Sequence, residues 1–430
     1  MNFKIIILYY YIKHKFIIKM SSKNKLDAYQ NKKIKKHLDY IIKHSKFYSE
    51  YKGKKLNEFP IIDKNIMMTN FNEMNTVGLN KDKAIQIAIN SEKSRDFKVK
   101  YGKITVGLSS GTSGSRGLFI ASDFERAKWT GIILSKLLPS LIFKKQKIAL
   151  FLRSDSELYN SVNSKILKFS FFDMINDYNN NIKKLNELKP DILIAPASML
   201  KILAENTDKM DIKPKKIYSC AEVLTKSDRL YINRALNTKI GEIYQATEGF
   251  LGYSLNSEMG LCINEDLIYV EKEYIDIEKT RFIPIITDFE RKSQPIIRYR
   301  LNDIWVENDE KNDVILMLSN IEGREDDIFV FLDDSGNKIK IFPDFIRRVF
   351  MLNFDEILEY NVIQKSLNEI IVSFVPMNSN QYNDISIKIR EKLYDLFDKS
   401  SVDIKNIVIN FSDYEVKDKL SKRRDIKSLL

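Results

Sequence analysis

Short apolar runs alternate with amphipathic stretches through the middle of the chain. Four of the runs carry few charges, as buried strands do: residues 147–152, 169–172, 191–195 and 216–219. Three intervening stretches repeat apolar side chains at helical spacing: residues 178–188, 198–205 and 229–235. Alternation of strands and helices predicts α/β layers built on parallel strands.

Two further apolar runs, 106–108 and 118–121, flank a loop of small and hydroxyl residues. They predict strands on either side of a tight turn. A helix over 123–136 follows, with Asp123 as its N-cap and Glu125 in its first turn.

The pattern changes after residue 240. Short strands expected at 243–244, 267–270, 282–287, 296–299 and 314–318 predict an antiparallel β-unit attached to the α/β body. An α+β block follows, with strands at 328–332, 338–342, 369–375 and 404–411 and helices at 343–350 and 384–397.

The fold class is therefore α/β. We expect a large N-terminal domain of several subdomains, with mostly parallel sheets plus the β-unit, and a small mobile α+β C-terminal domain. The expected boundaries are 1–27 for an N-terminal extension, 28–323 for the large domain and 324–430 for the small one.

The composition of the chain limits the classes of binding partner and catalytic site that it can have. The formal net charge is +12, but the lysines are spread along the whole chain, which disfavours nucleic-acid binding. All three histidines, His14, His37 and His44, precede residue 50, so the body of the protein has no histidine for a Ser-His-Asp site or a zinc site. Two cysteines make no disulfide framework, which fits a cytoplasmic protein.

The first twenty residues are apolar and aromatic, yet Lys4, Lys13 and Lys15 interrupt them. This run falls short of the roughly 20 apolar residues that a membrane span requires. We expect a docking helix, and contact with a membrane surface is the less favoured alternative.

The loop between the two flanking strands has the parts of a phosphate-binding site. Glycines allow an anion to approach the backbone, while amides and hydroxyls donate to its oxygens. The residues expected to do so are Ser109, Ser110, Gly111, Thr112, Ser113, Gly114, Arg116 and Gly117. The loop lacks the Gly-Lys-Ser/Thr of a Walker A loop and the spacing of a dinucleotide fingerprint, and a Ser/Gly linker is the alternative.

A second motif, Tyr244-Gln-Ala-Thr-Glu-Gly, follows a strand. Tyr244 offers a face on which a base can stack, Thr247 a hydroxyl for a phosphate, and Glu248 a carboxylate for Mg²⁺. The alternative is an ordinary strand end with a capping glutamate.

Two further segments carry candidate polar groups. Asp303 can accept hydrogen bonds from ribose hydroxyls, or form a structural salt bridge with Arg298 or Arg300. The basic C-terminal tail, by default a solvated charge run, contains Lys422, which suits a loop that delivers one ammonium group.

Taken in order, these segments resemble the motifs of the adenylate-forming superfamily. LSSGTSGSRG is similar to its phosphate loop, YQATEG to its adenine and magnesium motif, RYRLNDIW to its ribose motif, GREDDI to its hinge, and SKRR to the end of its C-terminal lysine motif. Within the superfamily, the chain resembles the phenylacetate-CoA ligase branch, which includes CapK-type polysaccharide biosynthesis proteins and synthetases that adenylate a deazaflavin coenzyme.

The resemblance implies ATP-dependent adenylation of a small carboxylate with Mg²⁺, followed by transfer to CoA or another acceptor, in polysaccharide or cell-surface biosynthesis. It assigns the phosphates to the loop and Arg116, the catalytic roles to Lys422, Thr247 and Glu248, and the metal to Glu248. The other assignments are Tyr244, Ala221 and Glu222 at adenine, Asp303 and Arg324 at ribose, and Asp326 as the hinge.

Three departures from the superfamily pattern bear on these assignments. Arg116 stands where the loop usually carries Pro-Lys, Leu301-Asn302 replaces Thr-Gly before Asp303, and Lys419 rivals Lys422 as the catalytic lysine. They motivate an alternative function, a nucleotide-binding or assembly protein that has lost its chemistry. Binding to nucleic acid or a membrane surface is the third.

Overall fold

A computed structural model of the chain describes residues 3–94, 96, 99–108, 116–138, 145–152, 163, 167–174, 178–255, 260–308, 314–415 and 425–430. The predicted loop residues Ser109 to Gly114 and the two candidate lysines, Lys419 and Lys422, lie outside the described residues. The chain forms two compact units. The first comprises Met1–Glu273, Pro284–Leu301 and Glu307–Asn320, and the second comprises Tyr274–Ile283, Asn302–Val306 and Ile321–Leu430. The functional boundary at residue 324 stays a prediction.

The first unit begins with helices. They are α1 (Phe3–Ile12), α2 (Lys23–His44), α3 (Lys64–Thr69), α4 (Phe71–Met74) and α5 (Lys81–Ser94). A π-helical turn, Lys13–Ile17, extends α1. Side-chain caps set two of the starts, because Ser22 accepts from the Lys25 amide at α2 and Asp63 from the Ile66 amide at α3.

An antiparallel sheet comes next, formed by β1 (Lys100–Tyr101), β2 (Ile104–Leu108) and β3 (Leu118–Ser122). The two strands expected around the loop are thus confirmed as partners. Helix α6 (Asp123–Leu137) follows β3, but the predicted N-cap is wrong. Ser122 caps the helix in a capping box with Glu125, while the Asp123 carboxylate pairs with Lys100 and Arg126.

The predicted parallel sheet is confirmed, and it also includes the strand at 243–244, which was expected in the antiparallel β-unit. Its strands are β4 (Gln146–Leu152), β5 (Leu167–Asp173), β6 (Ile192–Ala195), β7 (Lys216–Cys220) and β8 (Ile240–Ala246), in the spatial order β5-β4-β6-β7-β8. Among the described residues, three helices alternate with these strands: α7 (Tyr178–Leu188), α8 (Ala197–Glu205) and α9 (Lys226–Leu236). Their apolar sides share a core with the sheet through residues such as Leu185, Leu200 and Ile232.

Antiparallel strands continue this sheet. In the first unit β9 (Gly249–Ser254) pairs with β8, β10 (Leu261–Ile263) pairs with β9, and Met317 and Leu318 of β15 (Met317–Arg324) pair with β10. The remaining strands are β11 (Ile268–Tyr274), β12 (Arg281–Asp288), β13 (Ile296–Arg300) and β14 (Asp303–Glu307). The strand expected at 314–318 is shifted, because it begins at Met317.

The second unit contains most of the predicted α+β block. Its elements are β16 (Phe329–Leu332), β17 (Lys338–Ile341), α10 (Pro343–Asn353), β18 (Ile357–Ser366), β19 (Glu369–Pro376), α11 (Tyr382–Lys399), β20 (Val408–Ser412) and β21 (Ile426–Ser428). Their apolar side chains share one core. Strands β18 and β21 were not predicted, and the strand expected from residue 404 begins at Val408, after a 3-10 turn over Ile404–Asn406.

Candidate functional site

The site begins at one edge of the parallel sheet. Strands β6, β7 and β8 run in the same direction, so their carboxyl ends meet there. Ligands of open α/β sheets bind outside these ends. Ala221-Glu222 follows β7 and Thr247-Glu248 follows β8, which brings two of the predicted segments to the same edge.

Two hydroxyls lie beside the Glu248 carboxylate. The Thr247 hydroxyl donates to Glu248 Oε2 at 2.9 Å. The hydroxyl of Tyr299 on β13, whose side chain is buried, faces the same carboxylate. Burial and the nearby Glu248 charge raise the pKa of Tyr299 above its usual range, so its hydroxyl keeps its proton and can donate to the carboxylate.

A half-buried arginine fixes the backbone of the same turn. Arg291 donates through Nη1 to the Thr247 carbonyl oxygen, and through Nη2 to Gln294 Oε1 at 2.6 Å. Its charge also faces the Glu248 carboxylate. Arg291 therefore positions the Thr247-Glu248 turn through both a hydrogen bond and charge attraction.

Gln294 connects this arginine to the strand that leaves the predicted phosphate loop. Its side chain donates to the Leu118 carbonyl at 2.9 Å and accepts from the Ile120 amide at 3.0 Å. Gln294 is buried, so both of these backbone groups depend on it. Arg291 and Gln294 thus link β3 to the turn after β8.

Glu125 holds the same polar segment from the other side. Its Oε1 accepts from the Lys292 amide at 2.6 Å and the Ser293 amide at 2.8 Å, while Oε2 accepts from the Ser122 amide at 2.8 Å. Burial alone would raise the pKa of Glu125, but the hydrogen bonds from Ser122 and Ser293 outweigh it and lower the pKa. The carboxylate therefore stays ionised and keeps the segment in place.

Gly249 allows a close approach behind the turn. Its φ is +154°, and a Cβ there would lie 3.0 Å from Asp288 Oδ2. Burial raises the pKa of Asp288 to about 7, although the positive charges of Arg291 and Lys128 act to lower it. A side chain at position 249 would displace Asp288 from beside the arginine that positions Thr247.

Arg116, which was expected to contact phosphates, forms a salt bridge with a glutamate. Its guanidinium donates from Nη1 to Glu92 Oε2 at 2.6 Å and from Nη2 to Glu92 Oε1 at 2.5 Å. Both side chains are partly exposed, and such exposed pairs contribute only about 0–1 kcal/mol. An incoming polyphosphate can therefore compete with Glu92 for this arginine.

The residues assigned to adenine are placed by β7 and β8. Ala221 takes a left-handed backbone conformation with φ of 63°, which is rare for a residue other than glycine and occurs at functional sites. Glu222 Oε2 accepts from the Ser198 amide at 3.0 Å, in the first turn of α8. Tyr244 is half-buried on β8 and lies opposite Gly252 of β9.

The residues assigned to ribose and to the hinge belong to the second unit. Arg324 Nε lies 4.0 Å from Asp303 Oδ1, which brings the two proposed ribose ligands together. Asp326 is exposed in the 3-10 turn Glu325–Asp327. Arg298 and Arg300 form bidentate pairs with Glu271 and Glu273.

Sequence reasoning missed four residues that support the turn: Tyr299, Arg291, Gln294 and Glu125. Three of them lie between 291 and 299, where a polar segment separates two apolar strands. A buried polar segment between strands needs side-chain partners for its backbone groups, and this need was the sign in the sequence that these residues have a structural role.

No protein-family model matches the sequence. The chain is 25% identical over 409 residues to Protein CapK of Staphylococcus aureus, with 89% of this chain and 86% of that protein covered. Its fold is similar to that of a 2-hydroxyisobutyryl-CoA ligase solved in the postadenylation state with 2-HIB-AMP. That comparison has a TM-score of 0.66 and 15% identity, and it covers 95% of this chain and 90% of that one.

A second solved structure, a GH3 acyl acid amido synthetase, is similar with a TM-score of 0.57 and 13% identity. The matched region covers 90% of this chain and 86% of the synthetase chain. The chain therefore has the fold of the adenylate-forming ligases and resembles CapK along most of its length.

Proposed function

We propose that the protein activates a carboxylic acid by adenylation. A carboxylate oxygen attacks the α-phosphorus of ATP, the bond from that phosphorus to the β-phosphate oxygen breaks, and pyrophosphate leaves. The observation that carries the proposal is the Glu248 carboxylate at the carboxyl edge of the sheet, which accepts a hydrogen bond from Thr247 and faces the Tyr299 hydroxyl and the Arg291 charge. Such a reaction depends on positioning and charge neutralisation, and it needs no histidine.

Glu248 fits a magnesium ligand. A carboxylate has about four acceptor positions, so the hydrogen bond from Thr247 and one from the neighbouring Tyr299 hydroxyl would still leave room for a cation. Proteins commonly hold Mg²⁺ through one or two carboxylates together with substrate phosphates. When bound, the ion would supply positive charge to the phosphate oxygens.

The other roles follow the motifs. Residues 109–114 and Arg116 would hold the β- and γ-phosphates, Tyr244 would stack on adenine with Ala221 and Glu222 at its edge, and Asp303 with Arg324 would bind ribose. Lys422 would bridge the substrate carboxylate and the α-phosphate, and the small domain would turn at Asp326 after adenylation. Each assignment stays a prediction.

CoA is the first acceptor to test for a second step. A 2-hydroxyisobutyryl-CoA ligase with a TM-score of 0.55 to this chain was solved with 2-HIB-AMP and CoA. A role in polysaccharide or cell-surface biosynthesis rests on the resemblance to CapK-type proteins alone.

The experiment is a pyrophosphate-release screen over aryl, acyl and amino acids with ATP and Mg²⁺. We expect one class of acid to release pyrophosphate and to support exchange of labelled pyrophosphate into ATP. Glu248→Gln keeps the shape of the side chain and removes its charge, so it should abolish most of the exchange. Exchange at the wild-type rate in this variant would refute the assigned role of Glu248.

One observation favours a second candidate function. The bidentate contact between Arg116 and Glu92 occupies the only cation of the predicted phosphate loop. If ATP cannot displace Glu92, the protein binds nucleotide weakly and forms no adenylate. ATP binding without pyrophosphate release across the whole acid panel would support this second function over adenylation.

A further inference from the structure

The N-terminal helix has two faces of different character. Helix α1 and the π-helical turn that extends it bury Ile6, Tyr11 and His14 on one side. The side chains on the opposite side are apolar but exposed. We call them the outer face: Ile5, Leu8, Tyr9, Ile12, Phe16 and Ile17.

The buried side fixes this helix firmly to the first unit. Gly131 of α6 lies so close that a Cβ there would come within 2.4 Å of the Ile7 carbonyl oxygen. His14 Nδ1 lies 3.0 Å from the buried carboxylate of Asp266. Lys15 donates to the Ser135 carbonyl at 3.0 Å and the Leu138 carbonyl at 2.8 Å, at the end of α6. The outer face is therefore held in a defined orientation on the protein.

The exposure of the outer face is large for apolar side chains. Ile17 is 69% exposed, Ile5 56% and Leu8 52%. Single exposed apolar residues are normal, but a continuous group on one helix marks an interaction site. The i, i+3, i+4 and i+7 spacing of Ile5, Leu8, Tyr9 and Ile12 makes this group continuous.

The charges of the N-terminal segment that carries the outer face have one sign. No acidic residue precedes Asp27, whereas six lysines do: Lys4, Lys13, Lys15, Lys19, Lys23 and Lys25. Lys4 and Lys19, at the two ends of the helical segment, have exposed side chains. Long lysine side chains can keep the ammonium group in the polar layer while neighbouring apolar groups enter a less polar one.

We propose that the outer face binds an anionic lipid surface, with the helix lying in the plane of the headgroups. Apolar side chains enter the boundary between headgroups and acyl chains, and the exposed Lys4 and Lys19 contact lipid phosphates. Within the described part of the chain no helix is long and apolar enough to span a bilayer, which suits this in-plane arrangement. A second copy of the chain is the less suitable partner, because a two-fold contact would bring the same lysines together.

The first test is cosedimentation of the full-length protein with vesicles. We expect binding to vesicles of phosphatidylglycerol and phosphatidylcholine, and little binding to phosphatidylcholine alone. The combined variant Leu8→Gln, Ile12→Gln and Ile17→Gln should lose at least about tenfold in partitioning, because it removes apolar groups that would leave water. These side chains are exposed, so the variant should fold.

A matched control makes the same chemical change elsewhere. Ile277, Leu352 and Ile387 are exposed by 96%, 79% and 55%, and replacing them with Gln should leave vesicle binding unchanged. Lys4→Gln with Lys19→Gln should weaken binding by about fivefold per lysine and reduce its dependence on salt.

Three outcomes would overturn the proposal. The first is that the wild-type protein does not sediment with anionic vesicles at low salt. The second is that the outer-face variant and its control bind equally well. The third is self-association, seen by sedimentation velocity and abolished by the outer-face variant, without any binding to vesicles.

Discussion

Replacing Tyr299 with phenylalanine tests the assignment of Glu248 most directly. The change deletes one hydroxyl and keeps the ring, which is only 4% exposed. The hydroxyl that is lost is one of the two beside the Glu248 carboxylate. Glu248 keeps its charge but loses part of what orients it.

The size of the effect follows from the type of contact. A hydrogen bond to a charged group contributes about 1.5–3 kcal/mol, and removing such a partner from a metal ligand typically costs about 10–100-fold in metal affinity or activity. If Glu248 binds Mg²⁺, we expect Tyr299→Phe to raise the Mg²⁺ concentration for half-maximal pyrophosphate exchange by about tenfold or more. A purely structural role would lower stability and leave this Mg²⁺ dependence unchanged.

Tyr218 provides the matched control. It is fully buried, and its hydroxyl donates to the Leu137 carbonyl at 3.1 Å, away from Glu248. Tyr218→Phe should cost about 1 kcal/mol of stability in urea denaturation without shifting the Mg²⁺ titration. If Tyr299→Phe and Tyr218→Phe give the same Mg²⁺ dependence as the wild type, Glu248 is not the metal ligand.

Three further predictions concern other residues. Arg116→Ala should raise the KM for ATP by about tenfold with a smaller change in kcat, because a charge-assisted phosphate contact is lost; a KM equal to the wild-type value would mean that the loop does not clamp phosphates. Lys422→Ala should reduce pyrophosphate exchange by about 100-fold or more while Lys419→Ala does not, and the reverse result would move the catalytic role to Lys419. Burial lowers the pKa of His37 to about 3 from an ordinary 6.5, so the unfolded chain binds a proton between these pH values that the folded protein does not. This difference does not affect the free energy of unfolding above pH 6.5 and lowers it as the pH falls, by about 2 kcal/mol at pH 5. In urea denaturation, His37→Leu should remove this pH-dependent loss of stability. Equal acid destabilisation in the His37→Leu variant would contradict the reasoning.

The parallel sheet could be predicted because its strands are buried on both sides. Such strands are continuous apolar runs, and Ile192–Ala195 is buried at every position. Strand β18 escaped prediction because it has exposed positions at both ends and mixes polar and apolar residues. The N-cap of α6 was placed one residue late, because Ser122 and Asp123 are both good capping residues and only the contact with Glu125 separates them.

The candidate site was only half predictable. The turn after β8 could be found because its residue types are clustered in the sequence. Tyr299 could not, since its place beside Glu248 depends on how β12 and β13 pair, with Tyr299 opposite Ile286. Arg291 and Gln294 likewise act on backbone groups far away in the sequence, and no local pattern specifies such partners.

The C-terminal strand has a consequence for the lysine that precedes it. In the second unit β20 pairs with β19, and β21 pairs with β18, so the chain is anchored on both sides of Lys422. Fixing both ends of a chain segment lowers the number of positions open to any side chain within it. If Lys422 has the proposed catalytic role, truncation before Ile426 would release one of these two ends and reduce pyrophosphate exchange, although no proposed catalytic side chain is removed.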